Sequence, residues 1–217
     1  MKKLVSMMLI LLVFCSFGGC AQKTNTNDGH NRSSADEVTT VDESVVTYNL
    51  SGEAKGDTYK NEYLGITFTK PKAWAYFPED ALVGLTGGNT ELSVAENANT
   101  YGAAYDMMAV DYTTDTSVSI VFENLEVTSN SAFSAEEYLE DVIKVGVRQV
   151  EESTIAEETT VEIGGETYVK VVINTEDNNT PLTMIHYLRC VDVYMIHITA
   201  TVPTDKADTV DFDAMFA

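Results

Sequence analysis

The last third of the chain holds four stretches that read as β-strands, and the short turn sequences between them restrict how the chain can fold. The stretches are residues 154–163, 167–175, 182–190 and 193–202. Each is bounded by turn-forming or polar residues, which is typical of strands. Gly164-Gly165 between the first two favours a tight hairpin, and strands joined in this way are antiparallel. The sequence therefore predicts an antiparallel sheet.

Earlier segments add strands and helices. Residues 64–69 alternate strictly between apolar and polar and predict a half-buried strand, and residues 74–77 predict a second, short one. Pro78, followed by two acidic residues, suits the first turn of a short helix. Residues 105–111 and 118–125 predict two further strands, and the polar, small-residue stretch 89–104 between helix and strand predicts a surface loop.

The clearest helix signal lies between these strands and the C-terminal four. Ser134 and Glu137 have the spacing of a capping box. An apolar stripe at helical spacing follows them, as expected for a helix that faces the core. Residues 205–216 predict a last helix. Strands in hairpins with few long helices indicate the α+β class, with an antiparallel or mixed sheet of about six to eight strands packed between helices.

The N-terminus predicts export. Lys2 and Lys3 precede an apolar stretch, residues 4–17, that is short for a permanent membrane helix and ends in small residues, as signal peptides do. Residues 17–20, Phe-Gly-Gly-Cys, resemble the lipobox of bacterial lipoproteins, with Phe where Leu is usual. We therefore expect cleavage before Cys20 and its lipidation, so that the mature protein is held, by palmitate-type chains, on the outer face of the cell membrane.

This arrangement divides the chain into three parts. Residues 1–19 are the predicted signal peptide, residues 20–56 the lipid-attachment cysteine with a flexible polar tether, and residues 57–217 a single α+β domain. With Cys15 removed and Cys20 lipidated, Cys190 is the only remaining thiol, so an intramolecular disulfide is excluded. The domain must then depend on its hydrophobic core for stability.

The net charge of the chain limits the classes of molecule that it can bind. Thirteen Lys and Arg against thirty-four Asp and Glu give a formal charge of −21, and loss of Lys2 and Lys3 with the signal peptide lowers it to −23. Such a surface repels nucleic acids, whose binding depends on basic residues that neutralise phosphates. A nucleic-acid partner is therefore excluded, whereas a protein partner at the cell surface stays open.

One segment resembles known families. Residues 61–68, Asn-Glu-Tyr-Leu-Gly-Ile-Thr-Phe, followed by Pro71, Trp74 and the helix start at residues 78–80, look like the opening of small Gram-positive surface lipoproteins. Residues 105–107 and 119–125 also fit that group. The order of elements is similar to that of PsbP-like domains. This resemblance implies an antiparallel sheet between helices, an α/β/α sandwich, and a non-catalytic binding or assembly module.

Catalytic motifs are absent from the sequence. It contains no G-x-S-x-G, H-E-x-x-H, phosphate-loop or dinucleotide-binding pattern, and no Cys/His cluster with zinc spacing. No cofactor is expected. One candidate pair is left: a hairpin turn centred on Val191-Asp192 would place His186 directly opposite His197. The pair predicts an alternative function, a metal-handling or hydrolytic enzyme, although histidines at the edge of a core face are the simpler interpretation.

Aromatic residues near the short helix suggest a third kind of site. Trp74, Tyr76 and Phe77, together with Tyr101 and Tyr105, could line a docking groove, although Trp74 also suits the core. We therefore expect an extracytoplasmic, membrane-tethered binding or assembly module that is not an enzyme. A small-ligand carrier with a closed apolar cavity is the remaining alternative.

Replacement of Cys20 by Ser should abolish lipid attachment, because the acyl chains need the thiol. The protein should then move from the detergent phase to the aqueous phase on detergent partitioning and lose metabolic palmitate label. Cys15→Ser, five residues upstream, is the matched control and should remain lipidated. Palmitate on the Cys20→Ser protein would contradict the assignment.

Overall fold

The computed structural model describes residues 49–128 and 133–217. The predicted signal peptide, Cys20 and most of the predicted tether lie outside these residues. No helix in the described part of the chain is both long and apolar enough to span a membrane.

Ten strands form two antiparallel sheets. The small sheet has the order β1-β2-β3, and its strands are β1 (Glu53–Lys55), β2 (Thr58–Asn61) and β3 (Ile66–Thr69). The large sheet has the order β4-β5-β6-β10-β9-β8-β7. Its strands are β4 (Ala75–Tyr76), β5 (Ala103–Asp111), β6 (Thr116–Asn124), β7 (Thr154–Ile163), β8 (Glu166–Asp177), β9 (Thr180–Val191) and β10 (Tyr194–Pro203).

The described helices are short. They are α1 (Glu79–Leu85), α2 (Val94–Tyr101), α3 (Leu125–Thr128), α4 (Ala135–Tyr138) and α5 (Lys144–Gln149). A π-helical segment, Leu139–Ile143, joins α4 to α5, so that these three pieces form one continuous helix, here called the central helix. The predicted capping box is confirmed at its start, where Ser134 and Glu137 each bond the other's backbone N–H.

Two predicted elements were wrong. The expected surface loop at residues 89–104 contains α2, which begins with a second capping box formed by Ser93 and Glu96. The expected last helix over residues 205–216 is instead two 3₁₀ segments, Thr204–Thr209 and Asp213–Met215. The fully buried apolar residues of α2 are two alanines, so its hydrophobic stripe is less conspicuous in the sequence than that of the central helix.

Both faces of the large sheet are covered. On one face the central helix packs on β8, β9 and β10, while Leu82 of α1 packs on β5 and β6. On the other face lie α2, the small sheet and the C-terminal segment, in one core with the inner side chains of the large sheet. The α+β class with an antiparallel sheet is thus confirmed, with seven strands in the large sheet. The second layer is only partly helical, because the small sheet supplies much of its cover.

The packed structure begins ahead of residue 57. Leu50 is only 1% exposed and belongs to the core on the small-sheet face. Residues 53–55 form β1, paired with β2. Residues 49–56, expected at the end of the tether, are therefore part of the folded unit.

A close backbone contact connects the two sheets. Gly164 lies in the β7–β8 turn at φ 61°, and a Cβ placed on it would lie 2.6 Å from the carbonyl oxygen of Gly65, which precedes β3. Gly165 has φ 80°, but a Cβ placed on it would have no atom within 4 Å. Only the first of these adjacent glycines is required by packing as well as by backbone conformation.

Gly165→Ala should lower the free energy of unfolding by about 1–2 kcal/mol, the cost of a side chain in the left-handed region. Gly164→Ala should cost at least about 1 kcal/mol more, because its methyl group also overlaps backbone atoms. Urea denaturation followed by the fluorescence of Trp74, the single tryptophan, measures both. Equal losses in the two variants would show that the contact between the sheets is not tight.

Candidate functional site

A bulge in β5 creates the most unusual polar site in the described part of the chain. The pairing of β5 with β6 shifts between Tyr105 and Met107, so that Asp106 is the extra residue. A bulge of this kind re-aims a side chain and interrupts the regular alternation of the strand. The Asp106 side chain is thereby directed at Gly52 and does not take a regular place on one face of the sheet.

Four hydrogen bonds hold the Asp106 carboxylate. The backbone N–H of Gly52 donates to both oxygens, at 3.0 Å to Oδ1 and 3.2 Å to Oδ2. The Asn61 amide donates to Oδ2 at 2.8 Å, and the Tyr59 hydroxyl donates to the same oxygen. Asn61 also donates to the carbonyl of Leu50 at 2.7 Å. The carboxylate thus fastens both residues 50–52 and β2 to the large sheet.

Burial dominates the electrostatics of this site. It raises the pKa of Asp106, and the hydrogen bonds from Tyr59, Gly52 and Asn61 offset this only in part. The negative charge of Glu79 at the start of α1 raises the pKa of Asp106 further. Burial also raises the pKa of Tyr59, and it raises that of Tyr76 to about 12, so both phenols are neutral hydrogen-bonding groups near pH 7.

Asp106 lies in the wall of a cleft of about 200 Å³ between α1, β5 and residues 51–54. The wall is mainly apolar and aromatic, with a few polar groups. Its side chains include Tyr59, Tyr76, Phe77, Leu82, Val83, Leu92, Val94, Tyr105, Met107 and Met108. A mostly apolar cleft with a few convergent polar groups is the usual form of a small-molecule site.

The predicted aromatic groove is divided by the structure. Tyr76, Phe77 and Tyr105 line the cleft together. Trp74 is 6% exposed and belongs to the core, and Tyr101 is exposed at the end of α2, outside the cleft lining. Asp106, the polar centre of the site, was not identified from the sequence. Its one signal is a charged residue within the otherwise apolar run 103–110.

The predicted pairing of His186 with His197 was wrong. The turn between β9 and β10 contains Asp192 and Val193, with Asp192 at φ 52°, so it lies one residue later than expected. His186 consequently pairs with Thr199, and His197 pairs with Leu188. Since directly paired residues share a face, the histidines lie on the same face but are diagonal neighbours.

Each histidine contacts a buried polar partner. Glu123 bonds His197 Nε2 at 3.0 Å and also accepts hydrogen bonds from Tyr138 at 2.5 Å and Thr128 at 2.6 Å. Burial alone would raise the pKa of Glu123, but the hydrogen bonds and the charge of His197 outweigh it and lower that pKa. His186 Nδ1 lies 3.2 Å from the Thr199 hydroxyl. These contacts favour a structural role for both histidines.

Neither histidine belongs to a metal-binding cluster of described residues. Over residues 49–128 and 133–217, no group of three or more His, Cys, Asp or Glu side chains could hold a metal ion. Both histidines are buried, and neither lines the cleft beside Asp106. The geometry therefore gives no support to the metal-handling or hydrolytic alternative.

No protein-family model matches the chain, and no curated protein matches it. Solved structures with a similar fold include the cyanobacterial PsbP protein CyanoP from Synechocystis sp. PCC 6803, 12% identical, with a TM-score of 0.46 over 80% of this chain and 95% of that one. LpqN of Mycobacterium tuberculosis, described as involved in cell envelope biogenesis, is 9% identical, with a TM-score of 0.44 over 70% of this chain and 82% of that one.

A third similar structure is the Pseudomonas aeruginosa protein PA94, described as a putative regulator. It is 12% identical, with a TM-score of 0.37 over 43% of this chain, and the match spans only 62% of PA94. Likeness at this level assigns no ligand, partner or activity to the chain.

Acid should destabilise the fold through His186. Burial lowers the pKa of His186 to about 3, against about 6.5 in an unfolded chain. Between these values the unfolded chain binds a proton that the folded protein does not, so the free energy of unfolding falls as the pH drops below 6.5. The slope from this one group approaches about 1.4 kcal/mol per pH unit. Urea denaturation at several values between pH 7 and pH 5 measures it.

His186→Met should remove most of this slope, since methionine does not titrate. Thr199→Val is the control, because it removes the hydrogen bond to Nδ1 but leaves the imidazole in place, and it should keep the slope. A His186→Met protein with the wild-type pH dependence would rule out His186 as the source.

Proposed function

We propose that the chain is a lipid-anchored, extracytoplasmic binding module without catalytic activity, and that the cleft beside Asp106 is its binding site. The signal-peptide pattern and Cys20 support the location. The cleft supports the binding role, because it joins an apolar, aromatic wall to a fixed polar group. The cleft is the single observation on which the choice of site depends.

The arrangement of polar groups favours binding over catalysis. The Asp106 carboxylate already accepts hydrogen bonds from the Gly52 N–H, Asn61 and Tyr59, which fix its position. No histidine, cysteine or lysine lines the cleft within the described residues. The site therefore offers a ligand a shaped wall and a carboxyl group held in a fixed position, but no nucleophile paired with a base among the described residues.

Filling the cleft should abolish binding without unfolding the protein. Val83 lines the cleft from α1 and is half-buried, so Val83→Trp should occupy much of the space between α1 and β5. Saturable binding of 2-phenylethanol and 2-phenylethylammonium to the full chain in detergent micelles, measured by calorimetry, should weaken by at least about tenfold in this variant.

Val145→Trp makes the same substitution on α5, where Val145 is exposed and outside the cleft lining, and it should bind both probes as the wild type does. Thermal unfolding establishes that both variants are folded. Equal binding by both variants, or no binding of either probe by the wild type, would refute the cleft as the binding site.

A further inference from the structure

The charged side chains that line the cleft in the described part of the chain are all acidic. Within the described part of the chain its lining includes two carboxylates, Asp106 and Glu79, and no lysine or arginine. The two are close enough for Glu79 to raise the pKa of Asp106. An anionic ligand would meet repulsion here, whereas a cation would be attracted.

The Asp106 carboxylate has no counterion among the described residues. Its donors are the Gly52 N–H, the Tyr59 hydroxyl and the Asn61 amide, and each of these groups is neutral. A buried carboxylate is costly unless a positive charge or sufficient hydrogen bonds compensate for it. A cationic ligand would supply the positive charge that the described residues do not place beside Asp106.

One oxygen of this carboxylate has acceptor capacity to spare. Oδ2 accepts from Tyr59, Asn61 and Gly52, while Oδ1 accepts only from Gly52 over the described residues. Each carboxylate oxygen has about two lone-pair sites. An ammonium group, which carries three donors, can therefore bond Oδ1 without displacing any of the protein's own hydrogen bonds.

The rest of the cleft wall limits the size and polarity of the part of the ligand that does not contact Asp106. Phe77, Leu82, Val83 and Met108 present carbon and sulfur surface that excludes water from a bound group. An apolar cavity of about 150 Å³ holds one benzene molecule. The present volume of about 200 Å³ thus accommodates roughly one ring or a short aliphatic chain with a small arm.

We infer that the cleft binds an organic cation: an ammonium group carried by a single aromatic ring or a short aliphatic chain, with the ammonium on Asp106 and the apolar part against α1. This inference rests on the proposed function, because it takes the cleft as the binding site.

Three probes of one shape and different charge test the inference: 2-phenylethylammonium, the neutral 2-phenylethanol and the anionic 3-phenylpropionate. Each is titrated into the full chain in non-ionic detergent micelles and followed by calorimetry. The cation should bind at least about tenfold more tightly than the neutral probe, as expected for a hydrogen bond to a charged group. The anion should bind most weakly.

Two variants locate the effect. Asp106→Asn should lower the preference for the cationic over the neutral probe to about two- to fivefold, the part that Glu79 contributes. If this variant does not fold, Glu79→Gln serves, because Glu79 is exposed and its loss should weaken only the cation, by about two- to fivefold. Asp80→Asn, an equal change of charge on the neighbouring residue outside the cleft lining, should leave all three affinities unchanged.

The outcomes separate the two proposals. Equal binding of the cationic and neutral probes, abolished by Val83→Trp, would overturn the cation preference and leave the cleft as the binding site. Absence of binding by all three probes would overturn both. Equal weakening of cation binding by Asp80→Asn and by Glu79→Gln would show that the preference comes from the overall negative charge and not from the cleft.

Discussion

Burial of both faces of the two central strands is the constraint on which the architecture depends. Every residue of β6, and all of β10 except its last, is buried, so neither strand has a face left for solvent. Such a pair requires a covering layer on each side. The central helix and α1 cover one face, and the small sheet with α2 and the C-terminal segment covers the other. The cleft lies where α1 meets residues of that second layer.

The local parts of the fold could be predicted because their causes are local. Alternation and turn residues identify the strands, and Ser134 with Glu137 identifies the start of the central helix. Prediction of helices from hydrophobic periodicity fails where that periodicity is weak. The fully buried apolar residues of α2 are only the two alanines Ala95 and Ala98, and the C-terminal 3₁₀ segments contain few apolar residues. A capping box, formed by Ser93 and Glu96, was nevertheless present in the sequence of α2.

The candidate site could not be predicted because its causes are not local. A bulge, whose position depends on how β5 pairs with β6, directs the Asp106 side chain out of the regular strand pattern. Its hydrogen-bond donors come from residues about fifty positions earlier in the chain. The histidine register shows the same limit on a smaller scale. A turn one residue later than expected, set by Asp192 at positive φ, changes a directly facing pair into diagonal neighbours. Tyr76, Phe77 and Tyr105, three of the five aromatic residues considered for a groove, line the cleft. The sequence does not distinguish them from Trp74, which lies in the core.

The bonds that build the cleft wall also have a mechanical consequence. Tension applied to the chain ahead of residue 49 would act first on two bonds, that of Leu50 to Asn61 and that of Gly52 to Asp106, and the second of these passes the load to β5 of the large sheet. Beyond them β1 is held by three residue pairs to β2 alone, so it would peel rather than shear. Such a load would therefore act on the wall of the cleft. A molecule bound to Asp106 would raise the force needed to open it, and a pull from this end would in turn expel the molecule.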